Sequence, residues 1–257
     1  MEKKIVAKYL FRRLIRYLTK KGAYQILMGR LKARTKPETG RFLRHDVDAI
    51  LNQLWHNVDD IIPEARLEKI PTIGNRQMVF LAVLTIAAYH ALLKAGVEKN
   101  YAIELFADIG WKLYSKFVTI PKMIAKILTR DPQKQINITL RMFLIYPFST
   151  PGYPGYECKV WSEPNRCCTY WTHCPPYEFV RQYVEIHGDH GELEAFQRSW
   201  CWYDWSLTYA IVDGGYKVGG HYERIHTLSA GDDVCDMNWF AQKSKEDNIK
   251  IEQVTRP

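Results

Sequence analysis

Residues 77–96 read QMVFLAVLTIAAYHALLKAG, from Gln77 to Gly96. The apolar run from Met78 to Val97 is interrupted only by Thr85, Tyr89, His90 and Lys94, apart from the closing Gly96. A membrane-crossing helix needs about 20 consecutive, predominantly apolar residues. The interruptions instead make this run a helix buried in a protein core, over Gln77–Ala95, with Gly96 as its natural stop. His90 within it is a core histidine with a partner rather than a ligand. A helix that is apolar on every face must be covered from every side, so the flanking chain has to supply the cover.

Toward the N-terminus, residues 43–62 place Val47, Ile50, Leu51, Leu54, Val58 and Ile61 on one helical face, and Pro63 ends the helix. Residues 3–33 form an amphipathic basic helix, expected to break near Gly22 and to pack through Leu10, Leu14 and Tyr17. Residues 1–44 hold fourteen Lys and Arg against Glu2 and Glu38, within a chain of net charge +8, so the remainder is slightly acidic. Such a charge run is ordinarily a solvated helix face. Contact of residues 1–21 with a membrane surface is the alternative. Toward the C-terminus, Lys99–Phe117 is amphipathic with Ala102, Leu105, Phe106, Ile109 and Leu113 inward. A separate piece runs from Pro121 to about Leu128, and Asp131-Pro132 opens another. Residues 1–145 are therefore a helical scaffold.

At Tyr146 the character changes. Pro147, Pro151, Gly152, Pro154 and Gly155 make a turn-rich hinge. Beyond it come short strands over Glu157–Trp161 and Cys167–His173, then helices over Tyr177–His187 and Glu192–Asp213. Strands over Tyr216–Leu228 and Val234–Ala241 flank the turn Ser229–Asp233. The expected fold is α+β: the scaffold, a smaller site-bearing domain of mixed sheet over 146–242 ending in a β-hairpin, and a polar tail over 243–257.

With 47 % apolar and 25 % charged residues in 257, the composition is that of a globular chain and not a disordered one. No apolar leader with a small-residue cleavage site opens the chain, so a cytoplasmic, reducing environment is expected. The six cysteines are then ligands, nucleophiles or core residues rather than a disulfide frame. Neither paired CxxC spacings nor a phosphate-cradling glycine loop is present, and no aromatic-basic pattern points to nucleic acid. Oligomeric state is left open.

Three features can carry chemistry. Cys174-Pro175-Pro176-Tyr177 precedes a helix, whose N-terminus favours a thiolate, and His173 adjoins it. Cys201 and Asp204 are three apart and share a helical side, next to Trp205. Cys235, Met237 and Trp239 share one face of a strand, with Asp236 on the other. Taken singly, each cysteine is an ordinary small buried hydrophobe.

In their order and spacing, CPPYEFV, SWCWYDW and YERIHTLSAGDDVCDMNW resemble the L-2-amino-thiazoline-4-carboxylic acid hydrolase family. The match in the last motif is Arg224, Thr227, Leu228, Gly231, Asp232, Cys235 and Asp236. Tyr89, Leu92, Gly96 and Ala102 are similar to the family's scaffold helix pair, so the likeness spans roughly residues 40–240. Met237-Asn238 stands where the family has Phe-Arg, and the aromatic stretch Tyr153–Trp171 is unusual for it. The resemblance implies a small-molecule hydrolase opening a C–N or C–S bond of a cyclic isothiourea. Two mechanisms fit it. In one, Cys174 is the nucleophile, with Asp204 and His173 as catalytic partners and Tyr177, Cys201, Trp205, Arg224 and Cys235 binding the substrate; no cofactor is needed. In the other, Cys174, Cys201 and Cys235 hold a zinc ion. A non-catalytic ligand-binding or sensor module with cysteine-ligated zinc is the rival function.

Overall fold

The computed structural model describes the backbone of residues 2–202, Ile211 and 220–241, and their side chains except at 2–10, 113, 114 and 116–118. Five helices come first: α1 (Glu2–Leu27), α2 (Arg44–Ile61), α3 (Ile73–Lys94), α4 (Lys99–Leu128) and α5 (Pro132–Ile145). There follow β1 (Glu157–Ser162), β2 (Arg166–His173), α6 (Pro175–His187), α7 (Glu192–Phe196), β3 (His221–Arg224) and β4 (Cys235–Phe240). The fold is α+β, with helices first and a small sheet of strand order β1-β2-β4-β3 after them, antiparallel in every pairing rather than mixed as expected. The expected 243–257 tail, residues 216–219 of the penultimate strand, and residues 203–210, 212 and 213 of the expected Glu192–Asp213 helix lie outside the described residues.

The apolar run is α3, the buried centre of the molecule. It packs against α2, α4, α6 and α7. It is also the one described helix long and apolar enough to cross a membrane, and most of that stretch is buried in protein. Phe179 and Val180 of α6 and Ala195 and Phe196 of α7 join the same core as α3, so the segment after the hinge packs directly on the scaffold. A second core forms where Ile136, Leu140 and Phe143 of α5 meet Cys167, Tyr222 and Trp239 of the sheet. Phe148 packs against both.

Three local expectations are corrected. α1 runs unbroken through Gly22, because that glycine is a contact: a Cβ there would lie 3.4 Å from Ile109. Leu14 and Tyr17 are exposed, while Ile15, Thr19, Ala23 and Leu27 are buried. The side chain of Leu10 is not among those described. α4 continues through Pro121 to Leu128 as one helix, although proline removes a backbone hydrogen bond there. Its last turns are held by the antiparallel return of α5, with Ala125 buried.

The hinge is fastened to the start of α3. Thr72 caps the helix by accepting from the Asn75 N–H at 3.2 Å. Asn75 is fully buried. Its amide donates to the carbonyls of Pro147 (3.2 Å) and Ser149 (3.0 Å), and its side-chain oxygen accepts from the Tyr156 N–H at 3.3 Å. Gly74 permits this approach, since a Cβ there would sit 2.4 Å from the Pro147 carbonyl oxygen. Asn75→Ala leaves two carbonyls and an N–H buried without partners. It is expected to cost about 2 kcal/mol of stability, read by urea unfolding, with the far-ultraviolet spectrum of the folded state unchanged.

Candidate functional site

The sheet alternates, so Cys167, Thr169 and Trp171 of β2 face the same way as Cys235, Met237 and Trp239 of β4, with Trp171 opposite Cys235 and Thr169 opposite Met237. This face closes one side of a cavity of about 140 Å³. Met78 of α3, the α5 residues Leu140, Phe143 and Leu144, and Phe148 and Tyr156 of the hinge supply further wall. The wall is completed by Cys174 and Pro176 at the start of α6, by Phe196, Trp200 and Cys201, and by Ile211. The three cysteines singled out from the sequence thus reach one cavity from three separate segments. Among the described residues no charged side chain lines it.

Each thiol is placed differently. Cys174 is the N-cap of α6, with Pro175 and Pro176 as the first helical residues and no capping bond from its side chain. Proline suits that position because it has no N–H to leave unsatisfied. The same feature withholds two of the donors that a helix N-terminus ordinarily offers, so the field of the helix, more than its N–H groups, acts at Cys174. Cys201 ends a single wide turn, Gln197–Cys201, whose bonds span five residues. Trp200 fixes that turn by donating its indole N–H to Thr85 of α3 at 2.7 Å. Thr85, an interruption of the apolar run, is therefore the buried acceptor that registers the turn on the core. The Ser229 hydroxyl donates to the Cys201 sulfur at 3.1 Å, and the Arg224 guanidinium donates to the Cys201 carbonyl at 2.5 Å. The sulfur of Cys235 accepts the Leu228 N–H at 3.2 Å.

The loop between β3 and β4 is organised from within. Asp236 is buried and accepts from the N–H groups of Ile225 (2.9 Å) and His226 (2.6 Å) and from the His226 imidazole (2.8 Å). Asp232 accepts the Thr227 N–H at 2.7 Å. Gly231 turns the chain at φ 96°, a region that L side chains rarely adopt. Burial alone would raise the Asp236 carboxyl. The His226 N–H and imidazole and the Ile225 N–H outweigh it and hold the group below its ordinary value of 3.8. The same bond to Asp236 raises His226 above 6.5, against the smaller opposing effect of desolvation.

Of the other candidates, Tyr177 does not line the cavity; it lies one turn beyond Cys174 in α6, with its ring 6.4 Å from that of Phe196. Burial raises its phenol, Arg181 lowers it, and Cys201 and Cys174 add to the rise, so it stays protonated at neutral pH. His173 does not line the cavity. Its Nδ1 lies 2.6 Å from the Gly155 carbonyl, its ring packs edge-on against Tyr153, and its buried Nε2 has no hydrogen-bond partner. Its geometry is that of a residue positioning the hinge, not of a partner aimed at the reacting atoms. Arg224, expected at the substrate, holds the Cys201 carbonyl. Asp204 and Trp205 lie outside the described residues. Among the described residues, no three His, Cys, Asp or Glu side chains are gathered at metal-holding spacing. Cys174, Cys201 and Cys235 share one cavity wall. His90 pairs with the buried carboxylate of Glu192 at 2.6 Å. That carboxylate is held at about 2, because bonds from His90 and from backbone N–H groups outweigh the effect of its burial. Sequence reasoning missed Ser229, Thr85, Phe148 and Tyr156; of these only Ser229 sat in a motif already marked.

The Asp236 network carries a pH signature. A depressed carboxyl contributes stability that is present above the unfolded pKa and lost as pH falls through the lower folded one. A raised imidazole contributes stability present below its unfolded pKa and lost as pH rises through the higher folded one. Asp236→Ala is expected to cost about 2–3 kcal/mol near pH 5–6, because it removes three hydrogen bonds made to one charged acceptor. The gap to the parent should narrow below pH 3.8 and again above 6.5, measured by denaturant unfolding across pH. A gap that does not change with pH would remove the network from this role.

No protein-family model matches the chain, and no curated protein and no solved structure matches it.

Proposed function

We propose that the cavity is the active site of a small-molecule hydrolase acting by thiol nucleophilic catalysis on a cyclic amidine or isothiourea. The observation that carries this reading is the arrival of Cys174, Cys201 and Cys235 at one apolar cavity from three separate segments. Those segments bear the motifs that resemble the thiazoline-carboxylate hydrolases. Cys174 is the nucleophile: it sits at the positive end of α6, where negative charge is favoured. Its thiolate adds to the amidine carbon, the ring C–N or C–S bond breaks as the departing atom is protonated, and water releases the product. Asp204 is the proton donor, as the resemblance implies. Tyr177, whose phenol stays protonated, lies one turn beyond Cys174 in α6 and backs the wall from outside the lining. Cys201 and Cys235, each already accepting a hydrogen bond, shape the wall.

The wall also bears on the substrate. An apolar cavity of roughly 150 Å³ accommodates a benzene-sized guest, and this one is close to that volume. Aromatic residues supply much of its lining, with no charged side chain among the described residues. A five- or six-membered ring fits such a space, whereas a carboxylate would need a partner there. Together with Met237-Asn238 in place of Phe-Arg, this favours a substrate less polar than the family's own. The same apolar lining favours the rival reading, a module that holds a ring-sized ligand without turning it over.

Cys174→Ser separates the readings. Under the nucleophile reading the variant stays folded, loses turnover of a cyclic isothiourea by at least about 10³-fold, and no longer takes iodoacetamide at the residue whose labelling inactivates the parent. A folded Cys174→Ser that retains turnover overturns the assignment. Ring-sized ligands that raise the melting temperature of a protein with no turnover support the binding module. Release of bound metal from Cys174→Ser, with loss of fold, supports zinc.

A further inference from the structure

Among the described residues three indoles line the cavity, those of Trp171, Trp200 and Trp239. An indole N–H is a donor only, and all three are spent within the wall. Trp200 donates to Thr85 at 2.7 Å. Trp171 and Trp239 both donate to one oxygen, the hydroxyl of Thr169, each at 3.2 Å. Thr169 stands between them on the inner face of the sheet, two residues before Trp171 on β2, while Trp239 lies on β4 opposite Cys167. Both rings are held from behind. Trp171 packs edge-on against Phe148 and Tyr156, and Trp239 against Tyr222.

A hydroxyl has two acceptor lone pairs and one hydrogen to give. The two indoles occupy both lone pairs of Thr169, so its oxygen can serve a further partner only as a donor. Among the described residues no acceptor takes its hydrogen. Thr169 is 1 % exposed, and it lines the cavity itself. A buried hydroxyl hydrogen without an acceptor is costly. A guest that brings an acceptor removes that cost and makes a bond; a plain hydrocarbon does neither.

We propose that Thr169 determines which ring the cavity takes. Its hydroxyl donates to the guest, and the cavity thereby selects a neutral five- or six-membered heterocycle with an unprotonated ring nitrogen. A protonated ring is refused, because it presents a donor to a donor and a charge to an apolar wall. This selection rests on the proposed role of the cavity as the substrate site and adds to it. For a cyclic amidine or isothiourea the acceptor is the imine nitrogen, so the free base is the species bound.

The test compares benzene with pyridine, rings of one size and shape that differ by an acceptor, by calorimetric titration of the full chain at neutral pH, where pyridine is unprotonated. The parent is expected to bind pyridine at least as tightly as benzene. Thr169→Val keeps the shape without the hydroxyl and should weaken pyridine about tenfold or more relative to benzene, while Thr169→Ser should bind both as the parent does. Thr169→Val also strands two indole N–H groups, so a measurement on the parent alone stands beside it. The nitrogen resonance of isotopically labelled pyridine in the cavity should match that of pyridine in alcohol, not in hydrocarbon. A parent that takes benzene but shows a hydrocarbon-like pyridine resonance, or binds pyridine about tenfold more weakly than benzene, overturns the role of Thr169 and leaves the cavity a ligand site. An unchanged ratio of the two affinities in a folded Thr169→Val does the same. A parent that takes neither ring overturns the proposed role of the cavity together with that of Thr169.

Discussion

A helix with no polar face constrains everything else in this protein. Fully burying each large apolar side chain of α3 is worth on the order of 2 kcal/mol relative to leaving it in water, but only if every side of the helix is covered. Local sequence cannot supply that cover. α2 and α4 cover two sides, and α6 and α7, from beyond the hinge, cover the rest. The later segment is thus drawn back onto the scaffold because α3 is otherwise incomplete. The few polar groups of α3 mark where cover arrives: Asn75 binds the hinge, Thr85 takes the Trp200 indole, and His90 takes Glu192. Burying any of these groups unpaired would be costly, so each fixes a register as well as a contact.

The cavity follows from those registers. With the hinge fixed by Asn75, Phe148 and Tyr156 become wall, and with the wide turn fixed by Thr85, Cys201 does too. The third side belongs to the sheet, whose alternation delivers Cys235 and Met237 together. The loop above it, from Ile225 to Val234, has little core of its own. It is ordered by two aspartates satisfying backbone N–H groups, and it presents Ser229 to Cys201 and Leu228 to Cys235. An Arg–Gly–Asp–Cys–Asp pattern of this kind can therefore arise from loop architecture alone. That is why its resemblance to a hydrolase family supports a site without, by itself, assigning every residue in it a catalytic part.

How much was legible in the sequence depended on which physical signal each element uses. The buried helix, the sheet face of Cys235, Met237 and Trp239, and the start of α6 were readable because periodicity and proline placement are local. The inward side of α1 was not. Hydropathy favoured Leu14 and Tyr17, but close helix packing is made by small residues, and Gly22, Ala23 and Thr19 carry it with Ile15 and Leu27. Pro121 looked like a boundary because proline disrupts an isolated helix; the neighbouring helix holds this one together. The partners of His173 and Arg224 were invisible for a plainer reason. Both side chains are engaged by backbone carbonyls, of Gly155 and Cys201, and no sequence pattern reports where a distant carbonyl will point.

The six cysteines, none of them in a disulfide, differ in their surroundings. Cys158, Cys167 and Cys168 lie in the hairpin of β1 and β2. Burial pushes all three thiols up, Cys158 to about 12, so they remain neutral and behave as small hydrophobes. The cavity is at least as apolar, and the same desolvation acts there on any charged sulfur. Donors reach sulfur in both places: the Ser162 hydroxyl lies 3.9 Å from the Cys167 sulfur, and the approaches at the cavity are closer. A hydroxyl points at the sulfur of Cys201, an N–H at that of Cys235, and the positive end of a thirteen-residue helix at Cys174. Donors and dipoles aimed at sulfur inside an apolar wall act far more strongly than they would in water.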